Sequence, residues 1–152
     1  MDNPYAPPVF PSSGLPTVKL YSPGQVAWAS FLGAPIAGCV LLALNYKRFG
    51  NFGAANFALA FGLIGTTLMF VVAFFLPDSI PNSTLPVAYT FGMYQYAKSM
   101  QGSQYERRLQ NGGIKASSWM ATFIGIISIF CILVALCAVV LVAPEEWFSD
   151  EL

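Results

Sequence analysis

Three stretches of this chain, 26–44, 51–76 and 119–143, contain no charged residue. About 20 consecutive apolar residues suffice to cross the ~30 Å hydrocarbon core of a bilayer, at ~1.5 Å of rise each. A soluble core helix can be apolar all round, but rarely for this long, and here two such runs sit end to end. Charged residues make up 9% of the chain, against about 25% in soluble domains. Most of the surface therefore faces something other than water. The reading is an all-α transmembrane protein, a small helical bundle of 152 residues in one domain.

The first run has a marked start. In Ser22-Pro23-Gly24-Gln25, the serine suits a helix N-cap, the proline the first helical position, and Gln25 completes a capping box. Trp28 near one end and Tyr46 at the other suit interfacial aromatic belts. The first helix is expected over 23–46, with the basic pair Lys47-Arg48 as its stop, and the second over 54–76, stopped by Pro77-Asp78. Pro86 opens a third, expected over 86–110 and closed by Gly112-Gly113 as a C-cap. Its first half is apolar and rich in tyrosine; its second half is amphipathic. Ser117-Ser118 precede the last helix, 118–143, which Pro144 stops. Residues 1–21 hold Pro4, Pro7, Pro8, Pro11 and Pro16 and read as a flexible arm, leaving 22–152 as the polytopic membrane domain. The arm lacks the basic and short apolar segments of a signal peptide.

Charge chooses between two layouts. If only the three long runs cross and the N-terminus is inside, five cations lie inside and two outside. If the short third helix also crosses, Lys47, Arg48, Lys98, Arg107, Arg108 and Lys115 lie inside and only Lys19 outside. The second layout satisfies the positive-inside rule better. It is the expected one, three long spans plus one short, with both termini outside the cytoplasm. Its weakness is the length of the third helix, which requires local thinning or snorkelling by Lys98.

Small residues mark the packing faces. Ser30, Ala34 and Gly38 recur at i, i+4, i+8, with Gly33 and Ala37 in a neighbouring row; Ala54, Ala58 and Gly62 repeat the device on the second helix. Such residues let helix backbones approach closely where lipid supplies no hydrophobic drive. Ser30, Gly33, Ala34, Ala37, Gly38, Ala58 and Gly62 are thus expected at a helix-packing or partner face. Pro35 removes a backbone donor, frees the carbonyl of Phe31 and marks a kink or a hinge. Lys47, Arg48, Lys98, Arg107, Arg108 and Lys115 form an inner basic patch suited to anionic lipid headgroups.

Catalysis finds little support. The chain has no histidine, the commonest general base and metal ligand. Cys39, Cys131 and Cys137 lie inside apolar runs without CxxC spacing, as small hydrophobes do. No acid or base interrupts the long runs, as a proton path or an intramembrane protease requires. Glu145 and Glu146 are adjacent, so on a helix they point about 100° apart and make a poor carboxylate pair. Gly112-Gly113 lacks the lysine and serine of a phosphate loop. No catalytic residue, cofactor, metal or nucleic-acid partner is expected.

The NPYAPP start, the SPGQVAWASFLGAPIAGCVLLALNYKRFG block, and LP, Q, GG and AS before the final run resemble small uncharacterised bacterial inner-membrane proteins. The resemblance implies a bacterial inner-membrane location and a single-domain layout, and carries no active site. The expected function is binding: an accessory subunit of a membrane complex, or an immunity-type protein that blocks a toxin, with a protein partner or a second copy. The alternative is a permeation module lined by Ser30, Thr66, Thr67 and the tyrosines of the third helix.

Overall fold

A computed structural model describes residues 18–77, 79–81 and 83–142. The arm over 1–17, Asp78, and Pro144 with the acidic tail lie outside the described residues. Among the described residues the order is β1 (Lys19–Leu20), α1 (Pro23–Arg48), α2 (Phe52–Phe74), α3 (Thr84–Gln110), β2 (Ile114–Lys115) and α4 (Ser118–Val142). By length and composition α1, α2 and α4 could each cross a membrane.

Local chemistry sets the boundaries. Ser22 and Gln25 form the expected capping box at the start of α1. At its end, Gly50 (φ 81°) donates to the Lys47 carbonyl and Asn51 to the Tyr46 carbonyl, a Schellman closure that needs a left-handed residue. Asn51 then caps α2 through the Ala54 amide at 3.0 Å. Gly112 (φ 88°) closes α3 in the same way, with Gly113 donating to the Arg108 carbonyl at 2.9 Å. The short strands β1 and β2 pair in parallel, Lys19 opposite Ile114 and Leu20 opposite Lys115.

The first span, expected as one helix over 23–46 with a kink or hinge at Pro35, is corrected. Gly33 (φ −126°, ψ 31°) and Ala34 (φ 60°, ψ 176°) leave helical geometry inside α1, and the chain folds back on itself. Residues 23–32 form a first leg and 35–48 a second. The proof lies at the open end: Tyr21 and Asn45 exchange two hydrogen bonds, of 2.9 and 2.8 Å. Along a continuous helix, residues 24 apart would be separated by about 36 Å. Arg48 likewise reaches back to the carbonyl of Lys19, and its guanidinium lies 5.0 Å from the centre of the Tyr21 ring.

This hairpin is the centre of the molecule. Each of α2, α3 and α4 packs along α1, and none of the three packs extensively along another. Within α1, Val26, Ala29, Ser30, Ala37, Cys39, Leu41, Leu42 and Asn45 are almost wholly buried. The outer helices each bury a narrow strip. On α2 it is Ala55, Ala58, Gly62 and Thr66; on α3 it is Met93, Ala97, Gln101, Gly102 and Tyr105; on α4 it is Ala121 and Gly125.

Candidate functional site

Two places carry the polar chemistry of the fold: the apex of the hairpin and its open base. At the apex, Pro35 occupies the first position of the second leg, where its missing N–H would have had no helical partner. The next amide, Ile36, donates to Thr66 Oγ1 on α2 at 3.0 Å. A neighbouring helix thus supplies the N-cap that the turn cannot. At the end of the first leg, the Phe31 carbonyl accepts from the Tyr89 hydroxyl of α3 at 3.5 Å. The freed carbonyl expected from Pro35 is therefore held, and the proline starts a leg rather than bending a continuous helix.

The small residues make the fold-back possible. A Cβ on Gly38 would overlap Ser30 Oγ and come within 3.1 Å of the Val26 carbonyl, both on the opposite leg. The i, i+4, i+8 ladder therefore closes on itself instead of lining one face. A Cβ on Gly33 would overlap the Gly125 carbonyl, and one on Gly125 would stand 2.9 Å from Leu32 Cβ, so this pair sets the approach of α4. A Cβ on Gly62 would stand 2.5 Å from Cys39 Cβ, which sets the approach of α2. Ser30, Gly33, Ala34, Ala37, Gly38, Ala58 and Gly62 are all buried against the chain's own helices.

At the base, two sets of side-chain amide bonds lock the legs to α3 and to the start of α4. Asn45 Nδ2 donates to the Tyr21 carbonyl and to Gln101 Oε1, and Gln101 Nε2 donates to the Leu42 carbonyl, all within 2.8–3.0 Å. Gln25 Nε2 donates to the Ala116 carbonyl at 2.7 Å and to Ser118 Oγ at 3.2 Å. Asn45 and Gln101 are only 1% and 2% exposed, so each would be costly to leave without partners. The sequence shows Asn45 at the end of an apolar run and Gln101 as one polar residue of an amphipathic helix. Their pairing needs the fold-back, which sequence spacing does not reveal.

The basic residues gather around that base. A cleft of about 370 Å³ is lined by Phe49, Gln104, Arg107, Arg108 and Asn111, and the Arg108 guanidinium lies 5.8 Å from the centre of the Phe49 ring. Lys115 borders a second recess with Ser22, Gln25, Trp28 and Ser118. Lys47 and Lys98 are exposed on the last turn of α1 and on α3. The structure thus brings the six residues of the expected basic patch to one end and adds Lys19 to it.

The proposed lining of a pore is not brought together. Ser30 donates to the Val26 carbonyl and Thr67 to the Leu63 carbonyl, each at 3.0 Å within its own helix, while Thr66 is occupied by Ile36. Tyr89 and Tyr96 border an apolar cleft between α2 and α3, where Phe61 stacks on Tyr96 at 5.3 Å beside Pro35, Gly65 and Gly92. Among the described residues, no three cysteine, aspartate or glutamate side chains gather as a metal would need.

Together these observations define a helical protein with three helices long and apolar enough to cross a membrane, built around a folded-back central element. No family model matches the chain, and no curated protein or solved structure matches it either.

Proposed function

We propose that this chain is a non-catalytic membrane protein that works by binding another membrane protein along the outward faces of α2 and α4. It serves as an accessory subunit or an immunity-type partner in a bacterial inner membrane, as the sequence resemblance implies. The observation that carries this reading is the unequal packing of the outer helices. Among the described residues α4 buries only Ala121 and Gly125, and beyond Ser128 it presents exposed large apolar side chains such as Phe130, Val139 and Leu141. α2 does the same beyond Thr66 with Leu68, Phe70, Val71 and Phe74. The small residues that drive close helix approach are used internally, so the partner meets a surface of large side chains.

A permeation role is the second reading. A helix break at membrane depth, within reach of neighbouring helices, is the feature that favours it. The bonds of Ser30, Thr66 and Thr67 weigh against it: Ser30 and Thr66 are buried within the fold, and Thr67 bonds within its own helix. Chemical crosslinking in native membranes followed by mild detergent purification separates the two. A stoichiometric second protein is the expected result; a lone chain that carries ions or solutes across liposomes contradicts the binding role.

A further inference from the structure

The hairpin has a consequence for sidedness. The first leg rises about 15 Å from base to apex, at ~1.5 Å per residue. The contacts of the outer helices agree. From the base to the apex, α2 runs from Ala55 to Thr66, α3 runs back from Gln101 to Tyr89, and α4 runs from Ser118 to Gly125 and Ser128. Each of those segments spans roughly 10–18 Å. The apex thus lies about half-way across a ~30 Å hydrocarbon layer. Past it, α2, α3 and α4 continue alone.

α1 therefore has its two ends at the same level, and α2, α3 and α4 remain to cross. All seven lysines and arginines of the chain, Lys19, Lys47, Arg48, Lys98, Arg107, Arg108 and Lys115, are carried by the elements that meet at the base or lie within a turn of it. The four-span layout left one cation opposed to six; the fold-back brings Lys19 beside Arg48 and leaves none opposed.

We propose that α1 is a re-entrant hairpin that enters and leaves the bilayer from the cytoplasmic side, and that its base, with all seven cations, docks on the anionic phospholipid headgroups of that leaflet. Charge complementarity selects the occupant. Phosphodiester headgroups lie at the depth of the base, and Arg107, Arg108, Gln104 and Asn111 line an open cleft there. Guanidinium groups pair with phosphate oxygens through two parallel donors. The positive-inside rule places the same face in the cytoplasm. The N-terminus then lies inside and the C-terminal end of α4 outside. This inference rests on the membrane reading of the apolar helices and not on any protein partner.

The test uses the full chain with Cys39→Ala, Cys131→Ser and Cys137→Ser, and a single new cysteine in each variant. Resistance to carbonate extraction is checked first; release into the supernatant would contradict the membrane reading itself. A membrane-impermeant maleimide applied to spheroplasts should then label Ser79→Cys, between α2 and α3. It should leave Ser13→Cys and Ser117→Cys unlabelled until the membrane is opened. Labelling of Ser13→Cys from outside while Ser117→Cys stays protected, in a carbonate-resistant protein, overturns re-entry. Protection of Ser79→Cys with labelling of Ser117→Cys overturns the orientation.

The lipid half is read in the unmodified chain. Phosphatidylglycerol should be enriched over phosphatidylethanolamine in lipid that co-purifies with it. The enrichment should fall about fivefold for each cation lost in Arg107→Gln and Arg108→Gln at low ionic strength. Inorganic phosphate should not displace that lipid. Enrichment equal in the wild type and the double variant, or displacement by phosphate alone, overturns the headgroup assignment.

Discussion

Asn45 holds the backbone of Tyr21 at both its N–H and its carbonyl, at 2.9 and 2.8 Å, across 24 residues of sequence. This clamp closes the open end of the α1 hairpin, and Gln101 of α3 completes it. Replacing Asn45 by leucine leaves two backbone groups and one amide unpaired in a site that is 1% exposed. Each unsatisfied group costs about 1–3 kcal/mol. Asn45→Leu is expected to lower stability by about 3 kcal/mol or more, read by denaturant titration in micelles. Gln101→Leu should cost less, because the Tyr21 contacts survive it.

Ala34 sits at φ 60°, the one non-glycine residue with positive φ among the described residues. Such backbone costs about 1–3 kcal/mol for a residue with a Cβ. Ala34→Gly is therefore expected to raise stability by up to about 1 kcal/mol, the remainder offset by the greater freedom of the unfolded glycine. Ala34→Val should lower it. A straight α1 predicts the reverse for glycine, since glycine inside a helix destabilises relative to alanine.

Thr66 and Thr67 are neighbours in sequence with different duties. Thr66 accepts the Ile36 amide across the helix interface, whereas Thr67 bonds within α2 on an exposed face. Thr66→Val should cost about 1–2 kcal/mol by stranding that amide. Thr67→Val should be within about 0.5 kcal/mol of neutral. Thermal unfolding of the two variants side by side measures the difference.

Gly33 and Gly125 meet where α4 crosses the hairpin, while Gly92 has open space where a Cβ would stand. Gly125→Ala should cost about 1–3 kcal/mol through overpacking, and loosened α4 should weaken the bond from Trp28 Nε1 to Thr122 Oγ1, read as a change in Trp28 fluorescence. Gly92→Ala should be neutral or slightly stabilising. If the two variants behaved alike, close approach of α4 would not be what holds it.

Much of this fold can be read from the chain, and the limits are physical. The capping box at Ser22, the double-glycine stop of α3 and the last helix appear where residue chemistry places them, because caps and apolar length are local properties. α2 and α3 begin two residues earlier than expected and α2 ends two earlier, within ordinary fraying of helix ends. The fold-back was hidden because Gly33, Ala34 and Pro35 sit in an apolar run with no turn residues such as Asn or Asp. A ladder of small residues at i, i+4 spacing suits a straight helix and a tight hairpin equally. Deciding between them requires knowing that Asn45 finds Tyr21, a contact that spacing does not encode. The two-residue strands escaped for the same reason: their pairing follows from the fold-back rather than from propensity.

The most direct test of the account is a distance across α1 in lipid. Spin labels at Gly24→Cys and Lys47→Cys, both exposed positions near the two ends of α1, are placed in the cysteine-free background. Pulsed electron resonance in liposomes then reads their separation. Packed helical legs lie about 8–10 Å apart, so the hairpin predicts a narrow distribution below about 20 Å once label linkers are included. A continuous helix would separate these positions by about 35 Å, and a distribution centred there would contradict the re-entrant hairpin and the sidedness built on it.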